Sequence, residues 1–521
     1  MRRLFSKRVV IATASALCAL GMLDLSTTGY MLPTLLRQIF PDAPAMTSLR
    51  VNPITGQVTI HGLHVPLHDG LVHVGAVSFA TGYGLVSAAR AAENVALKNV
   101  TVETADFTYR ALSIEIAGSS LSQKDIAALL EKGAGDQLAK ALATLTAASI
   151  SIPEAVAERK MQAFRQTYTF RKLMARDIAA GKAASVSADG GTITGPAPTD
   201  GTFGAISGRN LDIAQLVRAM AAAPATPDAE PKDLATALAV NTIVLKTSSG
   251  GAAFGRLAAS DVKIQLGASP KRFLPMLGTV TLSDAVFDTV RAQAPNEKVR
   301  WTAKTLTLAA ESPRDSVPTK FTARIDALTV PVPPNSADPT FKNLTELGYT
   351  AVVFSLAADA AWNPQTSDFD VRQISLSGAD FGTITFSATL GAVGKDVFSG
   401  DKTVAQAAFK RATAKSLGVL VENKGLYEHI VAREAKKRGK SLDDTRKELS
   451  LSASLAFSTM TSNTPAGNVI AAAVGKFVAK PGKLRVNVTS KDAAGIALSS
   501  LSDPAARKAI NDKINVTATA E

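Results

Sequence analysis

The sequence predicts an α+β, β-rich fold: long antiparallel meander sheets, curved or groove-forming, with interspersed helices and an N-terminal membrane anchor. Three observations predict it. Short runs of alternating apolar and polar residues, bounded by Gly, Asn, Asp and Pro, recur along most of the 521 residues. A few stretches carry helical spacing instead. The chain also opens with basic residues followed by an apolar run.

That opening reads "MRRLFSKRVVIATASALCALGMLDLS". Arg2, Arg3, Lys7 and Arg8 form a positive flank, and the apolar run extends from Val9 to Leu23 before Asp24. This is the layout of a signal anchor or signal peptide, assigned to residues 1–30. No small-x-small site closes the run, and Leu17 precedes Cys18 where a lipid-modification signal wants a small residue. An uncleaved anchor is therefore expected over a cleaved peptide. The basic flank stays cytoplasmic, which places the bulk of the chain beyond the inner membrane as a single-pass protein. No later apolar stretch reaches the ~18 residues of a second span.

Strand signatures follow, among them "QVTIHGLHV", "LVHVGAVSF", "VALKNVTVETADFTY", "NTIVLKTSS", "DVKIQLGA" and "FTARIDALTV". Their spacing predicts hairpins and meanders rather than βαβ units. The clearest meander is 348–390. Val352, Phe354, Leu356, Ala358 and Trp362 share one face by period two, "NPQTS" at 363–367 turns the chain, and Ile384, Phe386, Ala388 and Leu390 make a third strand. Between them, Phe369 and Val371 fall on one phase and Ile374 and Leu376 on the other, which predicts a β-bulge near Arg372–Gln373.

Two stretches predict a helical pair packed on a sheet: 122–148, with Ser122 as cap, and 153–180, which starts at Pro153 and carries Phe164, Tyr168 and Leu173. Further on, "GLYEHIVAREAKKRGKSLDDTRKELS" predicts a helix to Arg438, a stop at Gly439 and a new helix capped by Ser441 with acids in its first turn. Breaks at 221–234 and 330–340 are rich in Pro. The expected regions are thus 31–225, β-rich with the inserted helical pair; 226–400, antiparallel meander; and 401–521, helical with terminal strands.

Composition narrows the chemistry. The formal net charge is +13, modest for this length, and the dense basic patch "AREAKKRGK" reads as a solvated helix face or a contact for anionic headgroups. Aromatic content is only 5%, which supplies few stacking platforms for single-stranded nucleic acid, so no nucleic-acid partner is expected. The single cysteine, Cys18, lies in the apolar segment, so the folded part has no disulfide, thiolate metal site or cysteine nucleophile. No cofactor fingerprint or nucleophile elbow is present.

Four of the five histidines fall in "IHGLHVPLHDGLVHVG" at 60–75. A two-residue loop at Asp69-Gly70 would pair His64 with Gly75 and Pro66 with His73. Alternation then puts His64, His68 and His73 on the polar face, where a solvated strand face is the expected reading. Three imidazoles also make His64, His68 and His73 the candidate ligands for a catalytic zinc. The acidic pair in "DFD" at 368–370 reads the same way, as a solvated face rather than a catalytic carboxylate pair.

"TSLRVNPITGQVTIHGLHV", close behind the anchor, resembles the opening of AsmA-like bacterial envelope proteins. The stretch "LTELGYTAVVFSLAADAAWNPQTSDFDVRQISLSGADFGTITFSATLGAV" and the ending "GLYEHIVAREAKKRGKSLDDTRKEL" with "AAAVGKFVAKPGKLRVNV" look like a group of inner-membrane-anchored periplasmic envelope proteins of Gram-negative bacteria. The resemblance covers about half the chain and carries no catalytic motif. It implies curved β-sheets with an apolar groove and, for some members, phospholipid movement between membranes. The expected function is therefore non-catalytic binding or transfer of lipid or another hydrophobic envelope component in the periplasm. Val352, Phe354, Leu356, Trp362, Ile384 and Phe386 are the candidate groove residues. The alternatives are a scaffold that docks an envelope protein partner, and a metal enzyme built on the histidine hairpin.

Overall fold

The computed structural model describes residues 46–51, 57–67, 70–80, 94–104, 107–120, 142–160, 165–195, 200–216, 231–247, 250–264, 276–291, 294–314, 317–399, 401–461, 464–501 and 510–521. The expected anchor and most of the first expected helix, 122–148, lie outside them. The chain forms two compact units. Unit 1 comprises Met1–Ala225, Lys232–Ser248 and Ser260–Ser269; unit 2 comprises Thr226–Pro231, Ser249–Ala259 and Pro270–Glu521.

Unit 1 is an antiparallel meander. Its strands are β1 (Ser48–Val51), β2 (Gln57–Leu67), β3 (Gly70–Ala80), β4 (Asn94–Thr104), β5 (Phe107–Ala117), β6 (Ala147–Lys160) and β7 (Arg165–Ala179), each paired with the next. After β7 the ladder divides. β8 (Lys182–Ala188) and β9 (Gly190–Thr194) both pair with β7, and β10 (Asp200–Phe203) and β11 (Ile206–Asp212) carry the two branches to β12 (Lys232–Thr247). One core gathers Ile60, Leu63, Val74, Val77, Phe79, Val95 and Val100. A second holds Leu145, Ala147, Ala175, Ile178 and Ala183.

The buried positions step by three in mid-strand, from Ile60 to Leu63 and Val74 to Val77, and the half-buried Leu97 is followed by the buried Val100. Strict alternation would send one member of each pair to solvent. The chain resets its phase with residues in the left-handed region: φ is 61° at Gly62, 52° at Asn99, 49° at Lys172 and 52° at Asp177. A Cβ on Gly62 would run into Thr47, so both the angle and the close approach require glycine there.

This corrects the helical reading of 153–180. The segment is β6 and β7, two long paired strands. In β7 the half-buried or buried Leu173, Ala175 and Ile178 follow Tyr168 and Phe170 at spacings set by Lys172 and Asp177, the two left-handed residues.

β13 (Gly250–Ile264) spans the unit boundary. In unit 2, β14 (Met276–Arg291), β15 (Ala294–Arg314), β16 (Val317–Pro331), β17 (Ala351–Asn363), β18 (Asp368–Gly378), β19 (Gly382–Gly391) and β20 (Thr413–Asn423) pair in succession, all antiparallel. β20 pairs with β21 (Lys483–Ser490) and β22 (Ile496–Ala497), and β21 with β23 (Ile514–Ala520). The expected bulge is present: Val371 pairs with Ala388 and Ile374 with Phe386, so Arg372 and Gln373 interrupt the register.

Among the described residues, five helices of eight residues or more punctuate this meander: α1 (Pro339–Glu346), α2 (Lys402–Phe409), α3 (Leu426–Arg438), α4 (Leu442–Met460) and α5 (Pro465–Ala479). α3 stops at Gly439, which is left-handed with φ 64°. Ser441 caps α4, its Oγ accepting from the Asp444 amide at 3.1 Å, with Asp443 and Asp444 in the first turn. Among the described residues, no helix is long and apolar enough to cross a membrane.

Candidate binding face

The strand register of unit 2 lines apolar residues up from strand to strand. One row runs Leu282, Leu306, Ile325, Leu356, Leu376, Ile384, Val421, Leu484 and Ala520, each paired with the next. A second runs alongside through Val280, Leu308, Ala323, Ala358, Ile374, Phe386, Val419, Val486 and Ala518. Residues two apart in a strand share a face, so both rows lie on the same side. Nine strands therefore present one hydrocarbon face.

The opposite side is polar. The Thr281 and Thr307 hydroxyls lie 3.5 Å apart, and Thr305 donates to Asp326 at 2.7 Å. Arg372 meets Asp359 at 3.3 Å, and Lys483 meets Glu422 at 2.9 Å. The Lys483 hydrogen bond holds the Glu422 carboxyl below the usual carboxylate range.

Three helical elements rest on the apolar face and leave a band between them. α1 covers the end near Val352 and Phe354, where Phe341 and Tyr349 are buried with Val330 and Val332. Tyr349 stacks on Phe381 at 4.6 Å and donates to the Asp380 carbonyl at 3.0 Å. At the other end of β17, a 3-10 turn (Lys395–Phe398) covers Trp362, whose ring lies 5.0 Å from Phe398 and whose Nε1 donates to the Val393 carbonyl at 2.7 Å. α5 packs Ala473 and Val474 onto Leu484, with Val421, Val486, Ala518 and Ala520 around them.

The band between stays uncovered. Leu308 is 51% exposed, Ile374 50%, Leu376 43% and Ile384 51%. Ala323 and Ala358 lie between Leu308 and Ile374 in the second row, so the floor dips there. Along β17 the stretch from Leu356 to Ala360 spans about 13 Å, and across β15 to β20 the band runs roughly 24 Å.

The six expected groove residues therefore separate. Leu356, Ile384 and Phe386 belong to the open rows. Val352, Phe354 and Trp362 share that face but pack under α1 and the 3-10 turn as core. Leu308, Ile374, Leu376 and the 37% exposed Leu417 complete the band and were not among the six.

The histidine hairpin forms with a register different from the expected one. Leu67 pairs with Gly70, where a loop at Asp69-Gly70 would have left Gly70 unpaired, and His64 faces His73 instead of Gly75. Their rings meet edge to face at 4.4 Å, with the Nδ1 atoms 3.3 Å apart. His68 lies outside the described residues. Among the described residues, no three His, Cys, Asp or Glu side chains gather to hold a metal ion. In "DFD", Asp368 is paired with Lys415 at 2.7 Å and Asp370 accepts from Thr389 at 2.9 Å, so both carboxylates serve the sheet.

A family model matches residues 375–521. Its family is described as an uncharacterized protein. The match takes in the later part of β18, all of β19 to β23 and α2 to α5, which includes the end of the apolar rows under α5. No curated protein matches the chain.

Proposed function

We propose that this chain is a non-catalytic envelope protein that binds acyl chains on the apolar face of unit 2, and that residues 1–30 anchor it in the inner membrane with the rest in the periplasm. One observation carries the reading: two apolar rows cross nine strands on one face, and their middle is left open by the helices that cover their margins. The opposite face is largely polar, so the apolar character belongs to this side of the sheet. Contiguous exposed hydrocarbon of this kind marks a binding surface.

Size and chemistry favour a lipid tail. The band is roughly 24 Å long at about 4.8 Å per strand, more than the depth of one leaflet, which is half of a hydrocarbon core of about 30 Å. The floor offers no charge and no hydrogen-bond donor, so the occupant is hydrocarbon. Covering each half-exposed leucine or isoleucine contributes roughly 1 kcal/mol. The resemblance to AsmA-like proteins points to the same kind of ligand.

The test uses the full chain, purified gently from its native membrane, with a photoreactive fatty acid added. Crosslinks are expected at peptides spanning 306–308, 356–358, 374–376 and 384–386, and Ile384→Glu should reduce them at least fivefold. Crosslinks confined to 1–30, or labelling unchanged by Ile384→Glu, would sink the proposal. A copurifying protein that shields the band would make it a scaffold surface instead.

A further inference from the structure

The stretch from Leu451 to Gly475 contains no charged residue. It forms the C-terminal half of α4 and most of α5. α5 is pressed between the sheet and α4, with Ala471, Ala473, Val474 and Gly475 buried. α4 lies outside it, and a single residue of α4, Thr445, is fully buried. Apolar side chains consequently face solvent: Leu451 is 63% exposed, Leu455 59% and Met460 79%, with Phe457 and Val469 also exposed.

Charge returns at the borders of this stretch, and it is mainly positive. Residues 433–448 hold seven basic side chains against four acidic ones, and Lys476 and Lys480 follow the stretch. Between α4 and α5 lies an open cleft of about 640 Å³, lined among others by Asp443, Arg446, Lys447, Ser450, Leu451, Ser454 and Lys476. Three cations, one carboxylate (Asp443, 3.9 Å from Arg446) and two serines there meet the first exposed leucine of the uncharged stretch, which leaves a net positive cleft. That order, cationic and hydroxyl groups and then hydrocarbon, matches a phospholipid from phosphate to tail.

We infer that the α4–α5 hairpin docks on a bilayer surface containing anionic phospholipid. Leu451 and Leu455, one turn apart on the same side of α4, enter the acyl boundary, and the Arg446–Lys447–Lys476 cleft takes a lipid phosphate. Neither helix is long and apolar enough to span, so the contact is interfacial. The inference joins the acyl-binding reading, because α5 closes one end of the apolar rows. It stands on different residues, and the two fail separately.

The test keeps the whole chain. In a Cys18→Ser background, Leu455→Cys or Lys437→Cys is labelled with an environment-sensitive fluorophore and reconstituted into phosphatidylcholine–phosphatidylglycerol nanodiscs, with vesicles of the same lipids added. The label at position 455 should shift to the blue and be quenched by doxyl lipids, and the label at 437 should not. Lys447→Gln with Lys476→Gln should weaken vesicle binding on the order of twentyfold, at roughly fivefold per cation. Ile384→Glu should leave the shift at position 455 intact. Matching aqueous signals at 455 and 437 would overturn the inference. So would loss of the shift on adding millimolar glycerol phosphate, which would make the cleft a site for soluble anions.

Discussion

Ala327 holds a φ of 49°, a region in which an alanine Cβ crowds the following carbonyl. Its amide donates to the Ser355 hydroxyl at 3.1 Å, beside the point where the β16–β17 register shifts. Ala327→Gly should therefore stabilise the chain by roughly 1 kcal/mol, read as a higher urea midpoint at unchanged slope. Gly62→Val should do the opposite, since it adds strain and a collision with Thr47. These phase-resetting residues explain what the sequence hid. Glycine, asparagine or aspartate in a strand hints at a left-handed angle, but Lys172 carries no such signature. The resets at Lys172 and Asp177 space apolar residues by two and three in turn, a pattern that imitates the helix period and made β7 read as a helix. The bulge at Arg372–Gln373 was legible because the apolar phase changed there with no turn residue to account for it.

At the scale of elements, the walls of the band are local structures with their own caps. Asp338 accepts from the Thr340 amide at 2.8 Å to start α1, and α1 buries Phe341 to 4% exposure. Phe341→Ala should cost about 3 to 5 kcal/mol and uncover Val352 and Phe354, so binding of an apolar fluorescent dye should rise along with the lowered urea midpoint. Ser441→Ala should cost about 1 kcal/mol through loss of the α4 cap. The α3 stop and the α4 cap were readable because glycine and serine act there through their own backbone neighbours. The separation of the six groove residues was not. Alternation put Val352, Phe354, Leu356 and Trp362 on one face correctly, but which of them a distant helix covers is a tertiary matter. The histidine pair shows the same limit. The facing of His64 and His73 depends on Gly70 pairing with Leu67 rather than turning the chain with Asp69, and either register satisfies the local pattern.

For the molecule as a whole, pH acts through two ion-paired carboxylates of unit 2. Hydrogen bonds from Lys483 to Glu422 and from Lys440 to Glu448 hold both carboxyls below their ordinary range. A group depressed on folding contributes its full stability above the unfolded pKa, and loses it as pH falls through the folded value. Stability should accordingly decline below about pH 4.5, and Glu422→Gln should flatten that decline in urea titrations between about pH 5 and pH 3. The effect belongs to exposed pairs, so added salt should shrink it.

The register of the apolar rows has one more consequence. Leu356, Leu376 and Ile384 are successive rungs of nearly equal size, about 4.8 Å apart. A chain of methylene groups lying across such rungs finds the same footing after each step. On the proposed reading, a tail would step along these rungs and settle where the floor dips at Ala323 and Ala358.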